Sequence, residues 1–179
     1  MVPPEPRAIT RLARLQAELR PDLEALAARV AETSELLDRW KEAGRLERAD
    51  LVLVAVNLHG YYTALETLLE RVARLLDETT PQGPTWHVEL IGQMQVEVPR
   101  LRPAVIDPIH VGDLHELRKF RHFFRNAYVL DLDPDQVRNH AERLTRLHPH
   151  LSRSIERLQR HLQSMIAACS KAGSPQPPG

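Results

Sequence analysis

The sequence predicts an all-α helical bundle. Apolar residues recur at helical spacing along almost the whole chain, and clusters of proline and glycine separate the periodic segments. No Gly-rich phosphate loop and no alternation of strands with helices is present. A chain of 179 residues is long enough to bury its own core. We expect one bundle over residues 7–171, with disordered proline-rich ends at residues 1–6 and 172–179.

Two long helices are predicted in the N-terminal half. The first covers about residues 7–42 and continues through Pro21 with a kink, because the apolar positions on both sides keep one register. The second covers about residues 47–77. Its apolar run Leu51–Val56 could form a strand by composition, but no turn separates it from the helical pattern that follows. We favour a helix at the centre of the bundle.

The C-terminal half is predicted to contain shorter elements. They are, in chain order, a break at residues 81–84, a helix at 86–96, a loop at 99–113 and a helix at 114–128. Asp133 is a good N-cap, and Pro134 suits the first position of a fifth helix. Pro149 is expected to start a separate last helix with an apolar inner face.

Composition excludes several classes of protein. The formal net charge is +0, so binding to nucleic acid would need a local basic patch. A single cysteine, Cys169, excludes an internal disulfide framework and fits a reducing cytoplasm. The N-terminal segment is polar and proline-rich, unlike a signal peptide. The run Leu51–Val56 is too short to span a bilayer. We expect a cytoplasmic protein without a membrane association.

The most informative stretch for chemistry is residues 120–128. One face of this helix is an apolar stripe that should pack inward, formed by Leu117, Phe120, Phe124 and Ala127. The opposite stripe is polar and basic, formed by Arg118, His122, Arg125 and Asn126. Such a stripe is either an ordinary solvated face or a surface for phosphate.

The helical geometry relates the polar residues of this stretch to one another. His122 and Asn126 are four residues apart and face the same way. Arg121 lies at the border of the polar stripe, and a regular helix turns it roughly 140° from Asn126. His115 and His122 could share a face, but neither a cysteine nor an HExxH spacing accompanies them. The sequence therefore predicts no metal site and no cofactor.

These residues resemble the signature of the HepT-like toxins of the HEPN superfamily. That signature is an arginine, four to six residues, a histidine, one residue and a tyrosine, often with a polar residue after the arginine. Arg121, His122 and Tyr128 match it, whereas Asn126 stands at the position of the motif histidine. The resemblance extends over about residues 7–167 and includes three further segments, 57–66, 86–90 and 101–106.

The resemblance implies a metal-independent endoribonuclease toxin that works as a two-fold homodimer, with tRNA or mRNA as its RNA substrate. It also implies an MNT-type minimal nucleotidyltransferase as antitoxin, which silences the toxin by transferring AMP to the motif tyrosine, here Tyr128. In this scheme Arg121 stabilises the phosphorane charge. Arg118 and Arg125 bind RNA phosphates.

Asn126 leaves the activity of this chain open. An amide exchanges no proton near neutral pH, and the loss of a general acid or base typically costs ~10²–10⁴-fold in rate. Three explanations remain open. The chain is an inactive variant made so that expression of the toxin is tolerated, a natural relative without catalysis, or an enzyme in which His122 takes over the proton transfer. A non-catalytic partner that presents substrate, or its own tyrosine, to a nucleotidyltransferase is the competing function. A purely structural helical dimer is the third.

Overall fold

The structure is a computed structural model that describes residues 6–126 and 132–172. The helices of these ranges are α1 (Pro6–Ala43), α2 (Arg48–Val72), α3 (Trp86–Gln95), α4 (Val111–Asn126) and α5 (Pro134–Ala172). A π-helical turn, Ala73–Asp77, extends α2, and a 3₁₀ turn, Pro108–His110, precedes α4. The described ranges contain no β-sheet, and the predicted all-α bundle is confirmed.

Helix α1 runs without interruption through Pro21, as its apolar register predicted. It packs along both α2 and α5. The buried face includes Leu12, Leu15, Leu19 and Leu26. A helix of this length loses one backbone hydrogen bond at the proline. Burial of leucines on both sides of Pro21 stabilises the continuous form.

Helix α2 is the centre of the bundle and contacts each of the other four helices. The run Leu51–Val56 is helical, which confirms the choice of helix over strand. Within the run, Val54 and Ala55 are fully buried, whereas Leu53 and Val56 are exposed. The N-terminal half of α2 therefore has an outward apolar face, in addition to the inward one expected of a central helix.

Helix α5 corrects the predicted boundary at Pro149. Only one helix extends from Pro134 to Ala172, with Pro149 inside it, so the prediction of a separate last helix is wrong. Leu147 and Leu151 are both buried on either side of the proline. Their packing against α1 and α2 outweighs the missing backbone donor at Pro149. The predicted inner face ran from Leu151 to Cys169; it is buried as far as Leu162, whereas Met165 and Cys169 are half-buried.

Helix α4 begins at Val111, three residues before its predicted start. The side chain of Asp107 accepts a hydrogen bond from the backbone N–H of Ile109 at 3.0 Å, and this cap starts the 3₁₀ turn that leads into α4. The last described residue of α4 is Asn126. The predicted extension to Tyr128 lies outside the described residues, as do residues 1–5 and 173–179, which form most of the two predicted disordered ends.

Arg102 fixes the loop after α3 to the end of α2. Its side chain is 1% exposed, and its Nε and Nη2 atoms donate to the two carboxylate oxygens of Asp77 at 2.6 and 2.7 Å. The carbonyls of Val96 and Gln93 also accept from this guanidinium. The loop that leads to α4 is therefore held in place by one buried arginine. Across the described ranges, every helix is too short or too polar to form a membrane span.

Candidate functional site

The Arg121 side chain turns inward from α4 onto α2. Its Nε atom donates to Thr63 Oγ1 at 3.1 Å, and its Nη2 atom lies 3.3 Å from Glu66 Oε2. The Arg121 side chain is 18% exposed and that of Glu66 is 6% exposed. Thr63 and Glu66 are three residues apart and share one face of α2. Helix α2 therefore holds the candidate phosphate-binding guanidinium in a defined orientation.

Glu66 joins three helices at this point. Its Oε2 atom contacts Arg121 of α4, and its Oε1 atom hydrogen-bonds His87 Nδ1 of α3. Burial raises the pKa of Glu66 above its usual range, and the charges of Arg121 and His87 oppose that shift. The ring of Trp86 lies 3.6 Å from the ring of His87, centroid to centroid. His87 thus supports Arg121 through Glu66.

The polar stripe of α4 faces solvent. His122, Arg125 and Asn126 are exposed, and the Nδ2 atom of Asn126 donates to the backbone carbonyl of His122 at 2.9 Å. This is a side-chain bond within the helix, to the carbonyl of the residue four positions earlier. Arg121 points to α2 while Asn126 stays on the outer face. The structure therefore brings His122 and Asn126 together and leaves Arg121 apart from them.

The apolar stripe of α4 faces inward as the periodicity predicted, whereas the two arginines of the polar stripe differ in exposure. Phe120 is buried and Phe124 is half-buried, whereas Phe123 is 44% exposed. Arg118 is half-buried, and its Nε atom is buried without a hydrogen-bond partner among the described residues. Arg125 is exposed. The two predicted RNA-binding arginines thus differ, with only Arg125 freely presented.

His59 is a further residue of this site, and it does not belong to the α4 signature. Its ring centroid lies 5.4 Å from that of Phe124. Burial lowers the pKa of His59, and the positive charges of Arg121, Arg125 and Arg29 lower it further. The imidazole is therefore neutral near pH 7.

A spacing in the sequence could have identified the α2 side of this site. His59, Thr63 and Glu66 recur at intervals of four and three residues, which places them on one helical face. We refer to His59, Thr63, Glu66, His87 and Arg121 together as the Arg121 cluster. Tyr128, the predicted AMP acceptor, lies outside the described residues. Within the described ranges, no group of three or more His, Cys, Asp or Glu side chains is placed to hold a metal ion.

A comparison with protein families shows to which family the chain belongs. A family model described as HepT-like protein matches residues 53–162, more than half of the chain. The chain belongs to the HepT-like family. No curated protein and no solved structure matches it. Membership places this HepT-like protein on the toxin side of a toxin–antitoxin pair.

The matched region contains the whole Arg121 cluster. It begins in α2 before His59 and ends in α5 at Leu162. Asn126 and His122 are also inside it, whereas α1 is outside. The part of this HepT-like protein that carries the candidate chemistry is therefore the part that defines its family.

Proposed function

We propose that this HepT-like protein is a cytoplasmic toxin whose site for metal-independent RNA cleavage lies at the end of α4. The observation that carries the proposal is the arrangement of Arg121. Its guanidinium is held by Thr63 and Glu66, and the same helix presents His122 and Arg125 on its exposed face. A guanidinium has five N–H donors. Thr63 and Glu66 use two of them, which leaves the others for a phosphate.

The proposed reaction is attack by a ribose 2′-hydroxyl on the adjacent phosphodiester. The bond between O2′ and phosphorus forms, the bond to the 5′-oxygen breaks, and a 2′,3′-cyclic phosphate results. A base takes the 2′-hydroxyl proton, and an acid returns a proton to the leaving oxygen. Arg121 stabilises the charge that builds on the phosphorane oxygens. Arg125, and Arg118 if it turns outward, bind the phosphates of the flanking strand.

Asn126 makes the chain as given nearly inert in this scheme. The amide can neither take nor return the proton, and its Nδ2 atom is engaged with the His122 carbonyl. His122 is the exposed imidazole on the same face, and it would carry out any residual proton transfer. Arg121 supplies a positive charge but transfers no proton, so the reaction would lack a general acid or base.

A two-fold homodimer is part of the proposal. Leu53, Val56 and Phe123 are exposed apolar residues on α2 and α4, and such surface favours a partner. A two-fold axis near α4 would bring two polar stripes together, so one protomer could supply the acid and the other the base. Sedimentation that shows only monomer at micromolar concentration would contradict this part.

AMP on Tyr128 is the proposed control. Tyr128 follows the last described residue of α4 by two positions, close in sequence to Arg125. Transfer of AMP by an MNT-type nucleotidyltransferase antitoxin would add bulk and a negative phosphate to this end of the helix. RNA would then be repelled from the same basic stripe that binds it.

The experiment that tests the proposed function compares three proteins for cleavage of total RNA in EDTA. The proteins are the chain as given, the Asn126→His variant and the Asn126→His, Arg121→Lys double variant. The single variant should cleave on the order of 10²-fold faster than the chain as given. The double variant keeps the charge but loses the fork that contacts Thr63 and Glu66, and its rate should fall again. Equal cleavage by the first two proteins would overturn the role of position 126.

A second candidate function is supported by the Asn126 contact. Because this amide hydrogen-bonds a backbone carbonyl within α4, the residue has a structural role that a non-catalytic protein would retain. Such a protein would present its own tyrosine, or a bound substrate, to a nucleotidyltransferase. The absence of cleavage by both the chain as given and the Asn126→His variant would favour this function.

A further inference from the structure

A second cluster of positive charge lies on α5, apart from the Arg121 cluster. It surrounds a cavity of about 310 Å³ between α5 and the loop before α4. The cavity lining includes Asp107, His110, His150, Arg153, Arg157 and Arg160. We call this cavity the α5 basic pocket. His110 and Asn126 are 16 residues apart along α4 and its 3₁₀ turn, which separates the pocket from the end of α4 by about 24 Å.

The three arginines form one wall of the pocket. They recur at intervals of four and three residues, so they share one face of α5. The Nη2 atom of Arg157 donates to the backbone carbonyl of Ala104 at 3.0 Å. This hydrogen bond docks α5 on the loop that forms the opposite wall. The pocket is therefore a feature of the fold and not only a charged helix surface.

Two histidines contribute a further wall. The ring centroids of His110 and His150 are 4.5 Å apart, and Arg153 Nη2 lies 2.9 Å from His150 Nδ1. A guanidinium can only donate, so His150 Nδ1 accepts and the His150 proton resides on Nε2. The Nε2–H group is then a neutral donor beside the arginines.

Among the described residues that line the pocket, the three arginines outnumber the single carboxylate. Within the described ranges, Arg153, Arg157 and Arg160 form no ion pair with a carboxylate. Asp107 is the carboxylate in the lining, and its Oδ1 atom is engaged by the backbone N–H of Ile109. Three like charges around one concavity repel each other unless an anion lies between them.

We propose that the α5 basic pocket is a binding site for a phosphate group, separate from the proposed cleavage site. Arginine suits phosphate because its planar fork matches two phosphate oxygens at once. The cavity is within the size range of small-ligand sites and has room for more than the phosphate itself. The ligand is a phosphate monoester or diester, from a free nucleotide or from an RNA strand.

The test measures binding to the full chain by calorimetry and fluorescence anisotropy. The probes are inorganic phosphate, AMP and a labelled single-stranded RNA of about eight nucleotides. Arg153→Gln and Arg160→Gln remove two exposed side chains of the pocket, so the fold should survive in at least one of them. Arg157 is left intact because it holds the loop.

Two matched variants serve as controls. Arg45→Gln removes an exposed arginine in the turn after α1. This turn is remote from the pocket. Trp40, near the end of α1, contacts Arg138 at the start of α5, and Arg138 is about 22 Å from Arg153 along that helix. Arg125→Gln removes one charge from the polar stripe of α4. Circular dichroism of each variant verifies the fold.

The proposal predicts that Arg153→Gln and Arg160→Gln each weaken AMP binding about tenfold, whereas Arg45→Gln and Arg125→Gln change it less than twofold. A free nucleotide is the ligand if RNA fails to displace AMP. A strand is the ligand if RNA displaces AMP and loses affinity in Arg153→Gln. The proposal is overturned if none of the three probes binds at millimolar concentration. It is equally overturned if Arg45→Gln weakens binding as much as the pocket variants.

Discussion

Arg121 of α4 and Glu66 of α2 form an ion pair, with 3.3 Å between Nη2 and Oε2. Both side chains are mostly removed from solvent, and His87 holds the other carboxylate oxygen. The arginine that the HepT-like signature places in catalysis is therefore also a structural link between two helices. A loss of activity in an Arg121 variant is informative only when the stability of that variant is known.

The Arg121→Met variant should lose about 1–3 kcal/mol of unfolding free energy, because Glu66 keeps a buried carboxylate with one partner fewer. Glu66→Gln should also destabilise, since it leaves the guanidinium without its counter-charge. The double variant should lose less than the sum of the two, by about 0.5–3 kcal/mol. Urea unfolding of the four proteins measures this coupling. Strict additivity would show that the pair contributes nothing to stability.

Arg102→Met should destabilise the protein by about 3–5 kcal/mol, because it leaves Asp77 buried without its counter-charge. The carbonyls of Gln93 and Val96 would lose their donor in the same variant. Arg100→Met is the local control. Arg100 is exposed in the same loop, and its replacement should stay within about 0.5 kcal/mol. Denaturant midpoints that agree for both variants would refute the role of Arg102.

Stability should fall as the pH decreases from about 7.5 to about 5.5. Burial lowers the pKa of His148 and of His140 below the usual value, so the folded state favours their neutral forms. The unfolded chain takes up protons first, once the pH drops below about 6.5. The stabilisation is therefore complete above that pH and is lost as the pH falls through the folded-state pKa values. Glu66, whose raised pKa acts in the opposite direction, reduces the net slope.

His148 offers a direct test of this pH dependence. Its Nδ1 atom lies 3.1 Å from the Tyr61 hydroxyl. The side-chain amide of an asparagine at position 148 can take the place of this nitrogen. His148→Asn should show a smaller loss of unfolding free energy between the two pH values than the chain as given. His122→Asn replaces an exposed imidazole and serves as the control. An unchanged pH dependence in His148→Asn would exclude His148 as a source.

Tyr128 should accept AMP when an MNT-type nucleotidyltransferase, ATP and magnesium are supplied. The expected adduct is a phosphodiester between AMP and the tyrosine hydroxyl, detectable by mass spectrometry of the intact protein and its peptides. Tyr128→Phe lacks the hydroxyl and should remain unlabelled. Tyr62→Phe is the control, because Tyr62 is buried in α2. Undiminished labelling of Tyr128→Phe would refute the assignment.

The bundle was predictable because its core is periodic, whereas the contacts of the site join residues far apart in the chain. The leucines of α1 and the run Leu51–Val56 follow helical spacing, and both helices are as predicted. Arg102 shows no such signal, since an arginine in a proline-containing loop is typically a solvated residue. Its burial depends on Asp77, 25 residues earlier. A helix boundary was wrongly predicted at Pro149 because proline disfavours a helix locally, while the packing that overrides it is tertiary.

The candidate site was predictable on one side only. The HepT-like signature identified Arg121, His122 and Asn126 on α4, but a one-helix motif cannot show which neighbour each side chain meets. Glu66 and His59 come from α2, and His87 comes from α3. Their recruitment depends on how the three helices pack. The helical spacing of the motif did indicate that Arg121 and Asn126 diverge, and they do.

The uninterrupted course of α5 through Pro149 restricts how this protein can change in length. His140 of α5 packs against Phe120 of α4, with 4.9 Å between ring centroids, and Arg157 docks on Ala104 later in the same helix. One inserted or deleted residue between these two points would rotate everything beyond it by about 100°. The arginines would then face away from the loop. Changes in length between residues 141 and 156 should therefore be tolerated only near whole helical turns.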